Sequence, residues 1–244
     1  MDGERVYLYF APHQDDELSN LGADLCRCAA DGRRPAVVLC TDGSASGARR
    51  LLSNGGGCAW HNGKHPTEMD KKTFIKARDD EFYESCAAMG VAPADIRIPE
   101  NRAADGSLTV SHAKRLILEA AAAYPGKRVA AKTFLPVSFT DQNPDHFALG
   151  CAAITLLAEG RIDRLELFLE RIHLDCPGFP HAFAKRIEPR TAEEKERLLK
   201  AAAAYRKWAP EAGRFAVGYH SVYDELSDFA AEPYALALKG PSAR

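Results

Sequence analysis

The sequence lacks the features of membrane proteins, nucleic-acid-binding proteins and disordered chains. Its 244 residues contain no apolar run that approaches the roughly 20 residues needed to span a bilayer. Lys and Arg total 32 against 34 for Asp and Glu, so there is no excess positive charge to neutralise phosphates, and we expect no nucleic-acid partner. Apolar residues make up 46%, and together with a net charge of −2 this composition excludes global disorder.

Signs of secretion are also missing. The first residues, Met1 to Arg5, have neither the basic region nor the long apolar core of a secretory signal. The seven cysteines are odd in number and scattered, without a Cys-x-x-Cys pair, which indicates reduced thiols. These features predict a cytoplasmic protein. The sequence leaves homo-oligomerisation open.

Short apolar runs alternate with segments of helical periodicity along most of the chain. Residues 6–10 and 36–40 are typical of buried strands, and leucines at helical spacing lie between them. A strand, a helix and a strand within about forty residues predict a βαβ unit and a parallel sheet. The later segments predict helices over 73–89, 111–124, 144–159 and from 192, and strands over 96–98, 129–134 and 165–174. This alternation predicts a three-layer α/β fold with a mostly parallel sheet.

No linker rich in Pro, Gly and Ser divides the chain. We therefore predict one domain over residues 1–244, with a core over 1–175 and a C-terminal extension over 176–244 packed on it. Beyond Trp208 the pattern weakens to short strands or loops. Residues 42–72 form a long polar stretch with three consecutive glycines, which predicts a loop that closes over a ligand. Residues 175–189 are dense in Pro and Gly.

The motif His-Gln-Asp-Asp-Glu at residues 13–17 directly follows the first predicted strand. In open α/β sheets, ligands bind at the carboxyl ends of strands. His13 and Asp16 can converge on one metal ion across a strand-to-helix turn, and imidazole and carboxylate suit zinc. Asp15 would then be left free as a general base. The alternative is that Asp15 or Asp16 only caps the helix.

A second motif, Asn-Pro-Asp-His at residues 143–146, also follows a predicted strand and opens a helix. His146 would supply a third ligand at the same sheet edge. Three protein ligands leave one position for water, as in catalytic zinc sites. The alternative is a helix capped by Asn143 with His146 as an incidental surface residue.

Together the two motifs resemble those of the LmbE-like, or PIG-L, family of zinc-dependent de-N-acetylases. The family motifs are His-Pro-Asp-Asp-Glu after the first strand and Pro-Asp-His at a later helix start. Weaker similarities are Thr-Asp-Gly at 41–43, Arg78 with Glu81, and Asp105 with Gly106. The resemblance runs from about residue 5 to 175 and implies a Rossmann-like α/β sandwich.

The resemblance also implies roles for individual residues. His13, Asp16 and His146 would bind Zn²⁺, with Fe²⁺ as an alternative, and Asp15 would be the general base. Arg78 and Asp105 would contact substrate. Their structural alternatives are an Arg78–Glu81 pair on a helix face and a turn at Asp105.

Two positions depart from the family pattern. Gln14 replaces the usual Pro. Asn143 stands where many members have a His that helps to stabilise the tetrahedral intermediate. An Asn amide can donate a hydrogen bond to an oxyanion, but it cannot act as a cationic acid. Either Asn143 takes the donor role, or activity is reduced, or another histidine enters the site. The histidines considered for that replacement are His61, His65, His173 and His220.

The function implied by the resemblance is hydrolysis of an N-acyl group, N-acetyl in the first instance, on an amino sugar or its conjugate. Zinc would polarise the amide carbonyl and activate water, and Asp15 would accept the proton. Trp60 would form a platform for the sugar, or have an ordinary structural role. Two alternatives are a metal-binding member of the same fold without activity and a nucleotide-binding Rossmann-like protein. No Gly-x-Gly-x-x-Gly follows the first predicted strand, which disfavours the last.

Overall fold

The computed structural model of the chain describes residues 5–58, 60–66, 68–136, 143–175 and 181–242. The first βαβ unit contains the parallel strands β1 (Arg5–Ala11) and β2 (Arg34–Leu39). Two helices, α1 (Asp16–Ser19) and α2 (Gly22–Ala30), connect them where a single helix is predicted. The break arises because the Asp16 carbonyl accepts hydrogen bonds from the N–H groups of both residues between the helices, at 3.3 and 3.2 Å.

The middle of the chain continues the alternation. Its elements are α3 (Ala48–Leu52), β3 (Gly57–Cys58), β4 (Gly63–Lys64), α4 (Lys71–Ala88), β5 (Ile96–Arg97), α5 (Val110–Ala122), β6 (Arg128–Phe134), α6 (Pro144–Ala158) and β7 (Arg164–Leu169). The prediction of an unbroken loop over 42–72 is wrong, because α3 and the antiparallel pair β3–β4 lie within it. Strands of two residues are too short to leave an alternating pattern in the sequence.

The C-terminal elements are β8 (Lys185–Ile187), α7 (Ala192–Ala204), β9 (Trp208–Ala209), β10 (Arg214–Phe215), α8 (Val217–Ser221), α9 (Tyr223–Ala231) and β11 (Ala235–Ser242). The prediction of only short strands or loops beyond Trp208 is wrong. Helix α9 was missed because just two of its side chains, Leu226 and Phe229, are buried. Its apolar pattern is therefore too short to identify a helix.

The predicted strand over 165–174 is also too long. It ends at Leu169, and a single 3₁₀ turn, Arg171–His173, follows. The apolar alternation continues past the true end because Ile172 fits it, yet that side chain is 55% exposed. The turn is held by a hydrogen bond from the His173 N–H to the Glu170 carbonyl.

Seven strands form one sheet in the order β5-β2-β1-β6-β7-β11-β8. The first five are mutually parallel, and β11 is antiparallel to both of its neighbours. Strand β1 shows how the layers arise, since its side chains alternate between the two faces. Tyr7 and Tyr9 pack towards α2, α4, α7 and α9, whereas Leu8 and Phe10 pack towards α5 and α6. The predicted three-layer α/β fold with a mostly parallel sheet is confirmed.

The centre of the sheet is a topological switch point. From β1 the chain proceeds to β2 on one side, and it later returns to β6 on the other side. In open α/β sheets, the crevice outside the carboxyl ends of the two strands at such a point is where ligands bind. Both predicted motifs follow these strands. None of the helices in the described part of the chain is long and apolar enough to cross a membrane.

Candidate metal centre and active-site cavity

The turn after β1 is held in an unusual backbone conformation. Asp15 has a φ of 122°, a region that residues other than glycine rarely adopt. Its N–H donates to Glu17 Oε2 at 3.0 Å, and Glu17 Oε1 accepts from the Tyr205 hydroxyl at 2.6 Å. Burial raises the pKa of Glu17 to about 8. Glu17 thus supports the turn from inside the core, and strained turns of this kind cluster at functional sites.

Three side-chain atoms meet at the switch point. His13 Nδ1 lies 3.2 Å from Asp16 Oδ2, His146 Nε2 lies 3.2 Å from the same oxygen, and the two ring nitrogens are 3.3 Å apart. Ligand atoms about 2.0–2.1 Å from one tetrahedral zinc ion would be about 3.3–3.4 Å apart. The two predicted motifs therefore come together, and the donor set fits one divalent metal ion.

The opposite ring nitrogen of each histidine faces carboxylates. His13 Nε2 lies 3.1 Å from Asp145 Oδ2 and 3.3 Å from Asp105 Oδ1. His146 Nδ1 lies 3.1 Å from Glu170 Oε1. Such outer carboxylates fix the tautomer of a metal-binding histidine, so that the inward nitrogen presents its lone pair.

Sequence reasoning missed the two outer residues Asp145 and Glu170. Asp145 is fully buried, and its carboxylate also accepts from the N–H groups of Gly106 (2.7 Å) and Leu108 (2.8 Å). Burial opposes ionisation, but these bonds and the one from His13 lower the pKa of Asp145. Both residues could have been identified as candidate site residues from their positions in the sequence. Asp145 lies within the Pro-Asp-His motif, and Glu170 directly follows β7 at the ligand-binding edge.

We expect Glu170→Ala to weaken zinc binding at this centre by about 10–100-fold, the usual effect of removing an outer carboxylate. The His146 ring would lose the partner of Nδ1 and with it a fixed orientation. Competition with a chelator of known affinity measures the change. Glu159→Ala, which removes a carboxylate 44% exposed at the far end of α6, is the control. Equal zinc affinity in the two variants would contradict the role of Glu170.

Asp15 lies in the same cavity as the three ligand atoms but is not one of them. Its Oδ2 is 3.0 Å from Arg78 Nη2. Burial raises the pKa of Asp15 to about 7, with the charge of Arg78 acting in the opposite direction. Arg78 is itself buried, and it donates to the carbonyls of Gly43 and Gln14, both at 2.8 Å.

The structural alternatives for Arg78 and Asp105 do not describe their contacts. Glu81 accepts from the N–H groups of Val217 (2.6 Å) and Gly218 (2.9 Å) at the start of α8, so it is occupied away from Arg78. Asp105 does more than form a turn. One carboxylate oxygen faces His13, and the other accepts from the N–H of Ala45 at 2.9 Å. Arg78 and Asp105 both line the cavity.

The departures from the family pattern are accommodated locally. The Gln14 side chain is buried and donates to Asp79 Oδ1 at 2.9 Å. Asn143 caps α6, since its Oδ1 accepts from the Asp145 N–H at 2.9 Å, and it also lines the cavity.

Four histidines were considered as replacements for the family His. Among them, His173 lines the cavity, and its Nε2 is 2.6 Å from Glu170 Oε2. The other three, His61, His65 and His220, lie in a separate cluster, so their suggested role in this cavity is wrong.

The cavity has a volume of about 570 Å³ and a polar lining that includes five carboxylate side chains. Ser46, from the 42–72 region, forms part of its wall, and its Oγ is 2.8 Å from the Oγ of Ser221, which also lines the cavity. Burial raises the pKa of Glu225 to about 8. Trp60 lies outside the lining and stacks on Tyr223 with ring centroids 4.9 Å apart, which agrees with the structural alternative rather than with a sugar platform.

Solved structures with a similar fold include enzymes of more than one kind. A deacetylase of the teicoplanin biosynthetic pathway has a TM-score of 0.62 and 16% identity, covering 96% of this chain and 97% of its own. N,N'-diacetylchitobiose deacetylase from Pyrococcus horikoshii has a TM-score of 0.59 and 16% identity, covering 96% and 84%. The 4-carboxy-2-hydroxymuconate hydratase from Pseudomonas putida has a TM-score of 0.53 and 15% identity, covering 98% of both. At such identities the likeness establishes the fold alone.

No curated protein sequence matches this chain significantly. A protein family does match it. The family described as PIG-L, GlcNAc-PI de-N-acetylase, matches residues 8–157, which is more than half of the chain and includes both motifs. The resemblance noted from the motifs is confirmed, and the chain belongs to the PIG-L, or LmbE-like, family.

Proposed function

We propose that this protein is a metal-dependent hydrolase that removes an N-acyl group, N-acetyl in the first instance, from an amino sugar or its conjugate. Membership of a de-N-acetylase family supports the reaction class. The observation that carries the proposal is the position of Asp15. Its carboxylate lies in the same cavity as His13, Asp16 and His146 but is not among the three ligand atoms that converge there. A purely structural metal site has no need of such a group.

His13, Asp16 and His146 would hold the metal ion, which we propose is Zn²⁺ with Fe²⁺ as the alternative. When bound, such an ion polarises the amide carbonyl and lowers the pKa of water from 15.7 to about 7. Asp15 would accept the proton of the attacking water and return it to the departing amine. A positioned base of this kind typically contributes about 10²–10⁴-fold. Arg78 would hold the Asp15 carboxylate in place, because their 3.0 Å contact is buried.

We propose Asn143 as the donor to the developing oxyanion. Its side-chain carbonyl accepts from the Asp145 N–H, so the amide nitrogen is the end that can donate within the cavity. Donors aimed at developing charge stabilise the transition state more than the ground state. Of the four histidines considered as replacements, His173 lines the cavity, and Glu170 orients its ring. We therefore propose His173 as the histidine that would take the role of the family His.

A sugar derivative fits the cavity better than a nucleotide does. About 570 Å³ lies within the 300–1,000 Å³ of small-molecule sites. Arg78, Asp105 and two serine hydroxyls offer hydrogen bonds to sugar hydroxyl groups. The carboxylates of the lining would repel a nucleotide phosphate, and the charge of Arg78 is already paired with Asp15. The comparison enzymes named for teicoplanin and for N,N'-diacetylchitobiose support substrates that carry N-acylated sugars.

Two other assignments complete the proposal. We place the protein in the cytoplasm, supported by six free cysteines among the described residues. The remaining cysteine, Cys176, lies outside those residues. Homo-oligomerisation and the division into a core and a C-terminal extension stay predictions.

The proposal is tested by measuring release of primary amine from a panel of substrates. The panel contains N-acetylglucosamine, N,N'-diacetylchitobiose and an N-acylglucosaminyl glycopeptide, with N-acetylated amino acids as controls. We expect amine release from at least one sugar substrate by the metal-loaded protein, and its loss after chelation. A hydratase adds water to a carbon–carbon double bond and releases no amine. Absence of amine from every sugar, at full metal occupancy, would contradict the proposal and favour a metal-binding protein without this activity.

A further inference from the structure

A second group of metal-binding side chains lies outside the active-site cavity. One ligand atom from each of four residues falls within 4.8 Å of the others, those residues being Cys58, His61, His65 and His220. Three of them come from one short stretch: Cys58 ends β3, His61 lies between β3 and β4, and His65 follows β4. The fourth, His220, is on α8. The group therefore joins the 42–72 region to the C-terminal part of the chain.

The hydrogen bonds of two of these histidines fix their tautomers. His65 Nδ1 is 3.0 Å from the Leu51 carbonyl, and His220 Nδ1 is 2.7 Å from the Ala216 carbonyl. A carbonyl oxygen can only accept, so each Nδ1 carries a hydrogen, and in a neutral ring Nε2 then presents a lone pair. These two Nε2 atoms face each other at 3.2 Å.

Two lone pairs at this distance need a cation or a proton between them. Cys58 Sγ adds a third donor atom 3.5 Å from His220 Nε2. Two nitrogen ligands of one tetrahedral zinc ion would be about 3.3 Å apart, and a nitrogen and a sulfur about 3.6 Å.

His61 provides an independent observation. Both of its ring nitrogens are buried, and neither has a hydrogen-bond partner among the described residues. The ring is held by stacking on Trp208, with centroids 3.4 Å apart and planes 6° from parallel. Buried polar atoms without a partner are rare in folded proteins and indicate an unseen partner. The rings of His65 and His220 lie 5.2 and 5.4 Å away from it.

We propose that a structural zinc ion binds to four side chains, those of Cys58, His61, His65 and His220. Thiolate and imidazole are the donors that zinc prefers, and four protein ligands close the coordination shell, as in structural sites. The spacing Cys-x₂-His-x₃-His within residues 58–65 is short enough for one turn to supply three ligands. This site does not depend on the proposed hydrolase function.

The ion would hold one wall of the active-site cavity in place. His220 directly precedes Ser221, which lines the cavity and contacts Ser46 there. Binding would therefore fix the β3–β4 pair against α8, and with it the position of Ser221. The site orients the wall and takes no part in the chemistry.

The first test counts metal ions per chain. The full-length protein is stripped of metal, loaded with Zn²⁺, freed of excess and measured by elemental analysis. We expect two ions in the native protein and one in Cys58→Ser. The matched control is Cys151→Ser, which removes a half-buried thiol on α6 and should leave two. The same number of ions in Cys58→Ser as in the native protein would overturn the proposal.

The main reading of the second test is made on the native protein. Co²⁺ loaded into the native protein should show thiolate-to-cobalt charge-transfer absorption, because only the second site contains sulfur. His13→Ala should retain this band, and Cys58→Ser should lose it. A native protein without the band would overturn the proposal. Failure of the amine-release assay would leave this result unaffected, so the two proposals are separable.

Discussion

Asp15→Asn is expected to lower kcat by about 10²–10⁴-fold while leaving the metal content unchanged, because the general base is removed and no ligand is. Asn is nearly the same size, and its side-chain oxygen can still accept the hydrogen bond from Arg78 Nη2, so the turn should keep its conformation. The measurements are kcat on the best substrate of the panel at saturating metal and elemental analysis of the same preparation.

The matched control is Asp80→Asn on α4. Its carboxylate pairs with Lys76 at the surface rather than with a cavity residue. This variant should retain native kcat and native metal content. Native kcat in Asp15→Asn would contradict the assigned role and favour a protein that only binds metal. Loss of metal from Asp15→Asn would instead show that Asp15 supports the ligands.

His146→Ala is expected to lose the metal ion at the switch point. Its kcat/KM should fall by at least about 10³-fold. Polarisation of a carbonyl by a metal ion contributes several kcal/mol to transition-state stabilisation, and each 1.36 kcal/mol is tenfold in rate. His13→Ala should behave in the same way, although the two residues are 133 positions apart. That agreement would show that the two distant motifs build one centre.

Elemental analysis and kcat/KM are measured on both variants, with thermal unfolding to verify that they fold. His112→Ala is the control, because its half-buried ring lies outside the cavity lining and, among the described residues, hydrogen-bonds only to the Asn101 carbonyl. Each ligand variant should retain one ion, the one at the Cys58 cluster. Unchanged metal content in both His13→Ala and His146→Ala would remove the metal centre from the mechanism.

The architecture and the convergence of His13, Asp16 and His146 were predictable because both depend on local patterns. Strand β1 is buried on both faces and appears in the sequence as an uninterrupted apolar run. His13 and Asp16 lie in the turn that follows it, and His146 opens the helix after β6. The carboxyl ends of neighbouring parallel strands meet at one sheet edge, so the motifs had to converge once the sheet was recognised.

Contacts between distant, irregular segments were not predictable. Cys58 and His220 are 162 positions apart, and neither lies in a long regular element. Strand β11 enters the sheet between β7 and β8 from the far end of the chain, a pairing that no local pattern indicates. The packing of Trp60 was not predictable for the same reason, since its stacking partner Tyr223 comes from a helix that the sequence did not predict.

A single turn of helix α4 contacts two segments that contribute to the cavity wall, the loop after β2 and helix α8. Arg78 holds Asp15 and the loop after β2, while Glu81, three residues later, holds the start of α8. A residue inserted between them would rotate one contact about 100° away from the other. An insertion here would thus break at least one of the two contacts. In directed evolution of substrate range, we expect accepted changes to fall in the 42–72 region and after β7, and insertions between Arg78 and Glu81 to be eliminated.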